Sequence, residues 1–278
     1  MSHPLWLFWS GDHLTFLRWM TIKSAAIVHD EVVLVRRRVD SSLRDSELEA
    51  SRTWHEHQDF QRVIPAGRNW IDDIPPQVRQ VWLEDVAREI ADLRAPDVQT
   101  SDLLGWWLLA EYGGSVADMD VVFLKPPPAI DHDVKVVRCS GSPKVGYMPI
   151  GFLQGRPCKF WREMYRRALE RYNPAIYESC GAGLFPPYHA IQGDKGLLSE
   201  AIVYPFALRA DWMAWHPWMF EADSWPTIPE ECIGVHWYGG MNQEHNWALT
   251  HENLPSAKGA IPWAIRHILG EVGESLGR

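Results

Sequence analysis

Several things are scarce in this chain of 278 residues. Its four cysteines, Cys139, Cys158, Cys180 and Cys232, lie far apart and form no C-x-x-C pair. That spacing excludes a disulfide scaffold and a thiolate zinc knuckle, and reads as reduced thiols. No uncharged apolar run approaches the roughly 20 residues that a membrane helix needs. Nothing near the start resembles a basic segment followed by a long apolar core, so a cytoplasmic protein without a transmembrane segment is expected. Positive charge is short as well: 27 Lys and Arg stand against 36 Asp and Glu, a formal net of −9. Such a surplus argues against non-specific binding to nucleic acid or to anionic membranes.

What the chain does have is apolar mass. A hydrophobic share of 46% with 23% charged residues describes an ordinary folded protein with a sizeable core. The length suits one α/β domain covering residues 1–278. Sixteen tryptophans are an excess. Most of them read as core, although indole faces also stack on sugars and bases.

The pattern is densest over residues 102–128. Leu103, Leu104, Trp106, Trp107, Leu108 and Leu109 cover nearly every side of a short helix, as in a helix buried among other elements. Gly113-Gly114 stops it. Residues 115–117 and 121–124 read as strands, and Pro126, Pro127 and Pro128 end the run. Between the strands stands Asp118-Met119-Asp120. Two carboxylates two residues apart in apolar surroundings repel each other unless a cation or donor groups neutralise them. A divalent metal does so, and carboxylate oxygens suit Mg²⁺ or Mn²⁺, which keep positions open for phosphate oxygens. The plain alternative is a pair of turn-capping aspartates.

The arrangement resembles the D-x-D glycosyltransferases of GT-A fold, in particular family 32, the group with a sugar-binding region containing the D-x-D motif. That group includes mannosyltransferases and capsular polysaccharide enzymes. The residues that carry the resemblance are Ser101-Asp102-Leu103-Leu104-Gly105, Glu111-Tyr112-Gly113-Gly114 and Asp118-Met119-Asp120. It implies a mixed, Rossmann-like sheet flanked by helices, with helical and loop additions at the C-terminus. It also implies retaining transfer of a sugar from a UDP- or GDP-sugar to a glycan, lipid-linked or protein acceptor, with Mn²⁺ or Mg²⁺ on the diphosphate. By resemblance Asp118 and Asp120, with a late His236, hold the metal, and Asp102 accepts hydrogen bonds from the donor sugar. Trp9 stacks on the base, and Ser10, Gly114 and Trp247 lie along the donor. The family's sugar-contacting Arg falls on Gly105 here.

Elsewhere the pattern reads as follows. Residues 5–9 and 31–35 are strands around a helix carrying Phe16, Met20 and Ile27. This βαβ unit requires a parallel sheet with a crevice at the carboxyl ends of its strands. Trp9 stands at that crevice, with a core role as the alternative. Arg36, Arg37 and Arg38 open a charged, solvated stretch to about residue 51. Residues 54–75 read as irregular, with His55 and His57 on the surface. Pro75-Pro76 opens a helix with the stripe Val78, Trp82, Val86 and Ile90. Residues 135–139 and 146–155 read as strand material. Residues 158–172 read as a helix with an apolar stripe at Trp161, Met164, Ala168 and Tyr172 and a basic, solvated face. Cys180-Gly181-Ala182-Gly183-Leu184 opens a further helix, and Asp194 sits in a turn. Residues 204–208 and 232–237 are the last strands, the second ending at His236 before a histidine loop with Trp247. Residues 262–276 form a closing amphipathic helix.

Two other readings remain at this point. Asp118-x-Asp120-x-Val122 also fits the first motif of aspartate-nucleophile phosphatases of the haloacid dehalogenase type. A βαβ unit precedes it here, however, where that motif normally ends the first strand. A non-catalytic carbohydrate-binding protein with tryptophan platforms is the other.

Overall fold

A computed structural model describes residues 3–38, 68–137, 150–176, 179–184, 196–205, 216–223, 228–239 and 243–271. The expected βαβ unit is present as β1 (Leu5–Ser10), α1 (Phe16–Val28) and β2 (Val32–Arg37), with the two strands parallel over their full length. Thr15 caps α1, its hydroxyl accepting from the Arg18 N–H at 3.3 Å.

Next come β3 (Arg79–Trp82), two short helices α2 (Leu83–Val86) and α3 (Arg88–Asp92), and α4 (Asp97–Glu111). The helix expected from Pro75-Pro76 is therefore wrong. Val78, Trp82, Val86 and Ile90 recur every four residues, and four is also a multiple of the strand period. Here the Val78 N–H closes a turn on the Pro75 carbonyl, Trp82 ends an edge strand that pairs with β2, and Ala87 (φ −143°, ψ 62°) breaks the rest into two short helices. The helix before the glycine pair forms as expected, burying Leu103, Leu104, Gly105, Trp106, Leu108 and Leu109.

β4 (Gly114–Ala117), β5 (Val121–Phe123), β6 (Val134–Val137) and β7 (Phe152–Gly155) follow. After them stand α5 (Lys159–Arg171), β8 (Leu197–Leu198), α6 (His216–Phe220), β9 (Gly234–His236), α7 (Gln243–Ala248) and α8 (Ala260–Glu271). Two expectations fail here. Of the strand expected at residues 204–208, Tyr204 is in a turn, its N–H closing on the Glu200 carbonyl, while residues 206–208 lie outside the described residues; the nearby strand is β8. The histidine loop is the helix α7. His55, His57, Cys139 and Asp194 lie outside the described residues. Cys158, Cys180 and Cys232 are free thiols, as expected.

Among the described residues seven strands form a mixed sheet in the order β3-β2-β1-β4-β7-β6-β8, and β5 pairs with β9 in a separate antiparallel ribbon. The mixed α/β sheet flanked by helices is thus the architecture that the sequence implied. Side chains alternate across it: Leu5, Leu7 and Leu34 join α1, α8 and the ribbon in one core, while Trp6, Val33 and Val35 join α4 and α5 in the other. Burial on both faces explains why these strands read as unbroken apolar runs. From β1 the chain moves outward to β2 and β3 on one side, while β4 lies on the other. The β1/β4 boundary is therefore the point where strand order reverses, the place at which open α/β sheets bind ligands outside the carboxyl ends of their strands.

α1 lies against β5 and supplies two buried hydroxyls to it. Thr21 Oγ1 donates to the Met119 carbonyl at 3.0 Å, and Ser24 Oγ accepts from the Phe123 N–H at 3.0 Å. Both side chains are fully buried. Ser24→Ala would leave the Phe123 N–H buried without a partner. The expected cost is about 1–3 kcal/mol in a urea unfolding curve.

Candidate functional site

Three chain segments meet at the carboxyl end of β4. Asp118 directly follows that strand, and its N–H donates to the Gly151 carbonyl at 3.0 Å. Asp120 immediately precedes β5. Register then does the rest: Val121 lies opposite His236 in the β5–β9 ribbon, and the Trp237 N–H extends the ladder to the Asp120 carbonyl at 2.8 Å. The antiparallel pairing therefore sets His236 beside both aspartates. Its Nε2 stands 3.1 Å from Asp120 Oδ1 and 3.6 Å from Asp118 Oδ2. One ligand atom from each of the three residues lies within 4.8 Å of the others.

Burial differs across the cluster. Asp120 and His236 are buried, whereas Asp118 keeps 40% of its side chain exposed and forms the open rim. Burial alone would raise the Asp120 pKa, but the His236 charge and hydrogen bond, Arg18 and the Gly239 N–H hold it well below the usual carboxylate range. Gly239 N–H reaches Asp120 Oδ2 at 2.6 Å. For His236 burial alone would lower the pKa; the Asp120 charge, with hydrogen bonds to both aspartates, outweighs it and raises the ring to about 9. The Tyr238 N–H, aimed at Nδ1 at 3.2 Å, works against that rise because an imidazolium carries a proton there. The Asp118 carboxyl is pushed up by desolvation, drawn down by its hydrogen bond with His236 and pushed up by the Asp120 charge. Its exposed rim position admits water, which limits the first of these.

A small divalent cation fits this donor set. Neighbouring ligands in an octahedral shell with bonds of about 2.1 Å stand about 3.0 Å apart, close to the 3.1 and 3.6 Å found between His236 Nε2 and the two carboxylates. For Nε2 to face a cation the ring proton has to move to Nδ1, so the Tyr238 contact must loosen.

The walls contain residues that sequence reasoning missed. Gly151 is the keystone. Its N–H donates to Tyr204 Oη at 3.0 Å, and a Cβ there would meet that hydroxyl and lie 2.7 Å from His236 Cδ2. Tyr204 also stacks, tilted, on the His236 ring at 5.0 Å between centroids. Arg18, on the first turn of α1, has its guanidinium 4.6 Å from the Trp237 ring and 5.9 Å from Trp9, with Nη1 4.0 Å from Asp120 Oδ2. None of these positions carries a motif. Each becomes visible only through strand register.

The remaining expected residues are distributed unevenly. Trp9 and Ser10 end β1 at the same edge, and Trp9 Nε1, Ser10 Oγ and His13 Nε2 are buried without a hydrogen-bond partner among the described residues. Asp102, in the early turns of α4, faces Gly181, where an added Cβ would lie 2.7 Å from Asp102 Oδ2 and 3.4 Å from Ile150 Cδ1. Since Ile150 precedes Gly151, Asp102 borders the same wall. Gly114 does not: it begins β4, the far end of the strand from Asp118, in a positive-φ turn packed on Pro4. Trp247 is half-buried on α7, whose Asn246 accepts from the hydroxyl of Thr15, the cap of α1, at 2.7 Å. Gly105 packs its Cα face on Val116, where even a Cβ would stand 3.3 Å from Cγ1.

Two outcomes follow from this geometry. Gly151→Ala should cost about 1–3 kcal/mol by overpacking and shift the His236 imidazole resonances in an NMR spectrum. A raised histidine pKa stabilises the fold in full below the ordinary value of 6.5, and that contribution is lost as pH rises through about 9. The difference in unfolding free energy between the wild type and His236→Gln, both metal-free, should therefore shrink between pH 6.5 and 9.

A scan against protein-family models finds no match, and no curated protein is similar in sequence. Among solved structures the chain is similar to one described as "PaToxG Glycosyltransferase", at 14% identity and a TM-score of 0.43. The match covers 66% of this chain and 66% of that one, just under two thirds of its length. A likeness at this level carries no weight for function.

Proposed function

We propose that the chain is a metal-dependent glycosyltransferase of GT-A type. It would move a sugar from a UDP- or GDP-sugar to a glycan, lipid-linked or protein acceptor. One observation carries this reading: an Asp-x-Asp pair and a histidine converge where the strand order of a mixed sheet reverses, a position suited to a nucleotide.

In glycosyl transfer negative charge builds on the leaving diphosphate while the anomeric carbon becomes oxocarbenium-like. Mn²⁺ or Mg²⁺, when bound, supplies Lewis-acid neutralisation of that leaving charge. Asp120, Asp118 and His236 would hold the ion, with Asp118 on the exposed rim nearest the incoming donor. Trp9 offers its indole to the base, and Ser10 and His13 bring to the same edge polar atoms that have no hydrogen-bond partner among the described residues. Asp102, across Ile150 and Gly181, would accept hydrogen bonds from sugar hydroxyls. By resemblance the transfer retains anomeric configuration; no side chain is assigned as a nucleophile. Gly114, at the far end of β4 from Asp118, takes no part in the donor site, and Trp247 is assigned to the donor by resemblance alone.

The test is a thermal-shift screen of nucleotide sugars with and without Mn²⁺. One donor at a hundredfold excess over its Kd should add about 2.7 kcal/mol of stability, and only with the metal. Asp120→Asn should abolish both that stabilisation and transfer while keeping a cooperative melt. Undiminished turnover in this variant would sink the metal role. Release of phosphate from simple phosphomonoesters would instead indicate the aspartate-nucleophile phosphatase.

A further inference from the structure

We propose that the main-chain carbonyl of Trp237 is the outer partner of His236 when the three-residue cluster holds a cation, and that the 237–238 peptide turns over to bring it there. The inference rests on the reading of Asp118, Asp120 and His236 as a metal site and adds a positioning group to that site.

The backbone at Tyr238 is unusual for its residue type. Its φ is 51°, and among the described residues Arg94 is the other non-glycine residue with a positive value. In this left-handed region the Cβ crowds the following carbonyl, so the conformation persists only where its surroundings enforce it. The enforcing contacts lie on either side. The Trp237 N–H donates to the Asp120 carbonyl at 2.8 Å, and the Gly239 N–H donates to Asp120 Oδ2 at 2.6 Å. With those two peptide units pinned, the positive φ aims the N–H between them at His236 Nδ1, 3.2 Å away. The Tyr238 ring packs on the His236 ring as well, T-shaped at 4.5 Å between centroids.

That arrangement suits one tautomer of His236. Nδ1 accepts from Tyr238, while Nε2 turns its hydrogen to the carboxylates of Asp120 and Asp118 at 3.1 and 3.6 Å. A histidine that holds a cation through Nε2 carries its hydrogen on Nδ1, and that hydrogen is commonly given to a carboxylate or a main-chain carbonyl. The Tyr238 N–H then opposes it, donor against donor. Simple lengthening of the contact would leave a ring N–H without an acceptor in a residue that is buried. Because the flanking peptides are anchored, the local solution is a crankshaft: ψ of Trp237 and φ of Tyr238 change in opposite senses, and no other unit has to move. The Tyr238 N–H swings away and the Trp237 carbonyl takes its place opposite Nδ1. The same rotation carries Tyr238 to negative φ, where a tyrosine is unstrained. Strain held in the metal-free loop is thus released in the step that reorients His236.

Tyr238→Ala and Tyr238→Gly lose the same ring and differ in their tolerance of positive φ, so the pair isolates the strain. Each is titrated with Mn²⁺ alone, followed by electron paramagnetic resonance. Metal-free, Tyr238→Gly should be the more stable of the two, yet it should bind Mn²⁺ about tenfold more weakly than Tyr238→Ala, because it has no strain to release. In the wild type, the nuclear Overhauser effect between the amide and α hydrogens of Tyr238, strong at positive φ, should weaken when Mg²⁺ is added. Equal Mn²⁺ affinities in the two variants overturn the proposal, and so does a Tyr238 that keeps positive φ in the Mg²⁺-loaded wild type. Should the variants fail to fold or to bind Mn²⁺, the wild-type measurement decides alone. A wild type that binds neither ion overturns the metal site and this proposal with it, whereas an unchanged φ in the loaded wild type overturns this proposal only.

Discussion

A buried carboxylate has to be neutralised, and around Asp120 every neighbouring element contributes to that requirement. The ribbon of β5 and β9 delivers His236, the turn beyond it delivers the Gly239 N–H, and α1 delivers Arg18. The backbone of the acidic segment is fixed at the same time, by Thr21 at Met119, by Trp237 at Asp120 and by Gly151 at Asp118. Few degrees of freedom are left to the two carboxyl groups. That is the preorganisation which electrostatic catalysis needs, since a site already oriented costs no reorganisation when charge develops.

Much of this was legible in the chain because local and global signals agree. The apolar runs of β1 and β2 with Phe16 and Met20 between them can hardly be anything but a βαβ unit, and the glycine pair plus the acidic dyad mark the strand that adjoins it. His236 was singled out through the resemblance, as a histidine at the end of a late apolar run that could complete the acidic pair. Where period alone had to decide, it failed. A repeat of four residues in 78–90 serves strand and helix equally, and the parallel partner in β2 took residues 79–82 as an edge strand and left only the two short helices α2 and α3 after it.

The walls of the site were illegible for a physical reason. Arg18, Gly151, Tyr204 and Gly239 each have an ordinary sequence context, and what makes them special is a neighbour from a remote segment. Gly114 errs the other way: it sits inside the motif, yet its positive φ and its contact with Pro4 serve the turn that starts β4. A motif marks the strand that carries a functional group. It does not say which of its members face the ligand.

The ribbon of β5 and β9 also has a consequence for how the molecule is made. Its partners are more than a hundred residues apart, and neither strand belongs to the large sheet. Loop closure of that length is slow to be rewarded during folding. The βαβ unit, which carries Arg18, can form while the chain is still short, but Asp118 and Asp120 meet His236 only after β9 has been synthesised. Until then two adjacent carboxylates repel each other beside an apolar core, and water must remain around them. The same pairing that brings the three side chains together therefore also buries the apolar residues of β5 and β9, so that assembly of the cluster and desolvation of this part of the core arise in a single step.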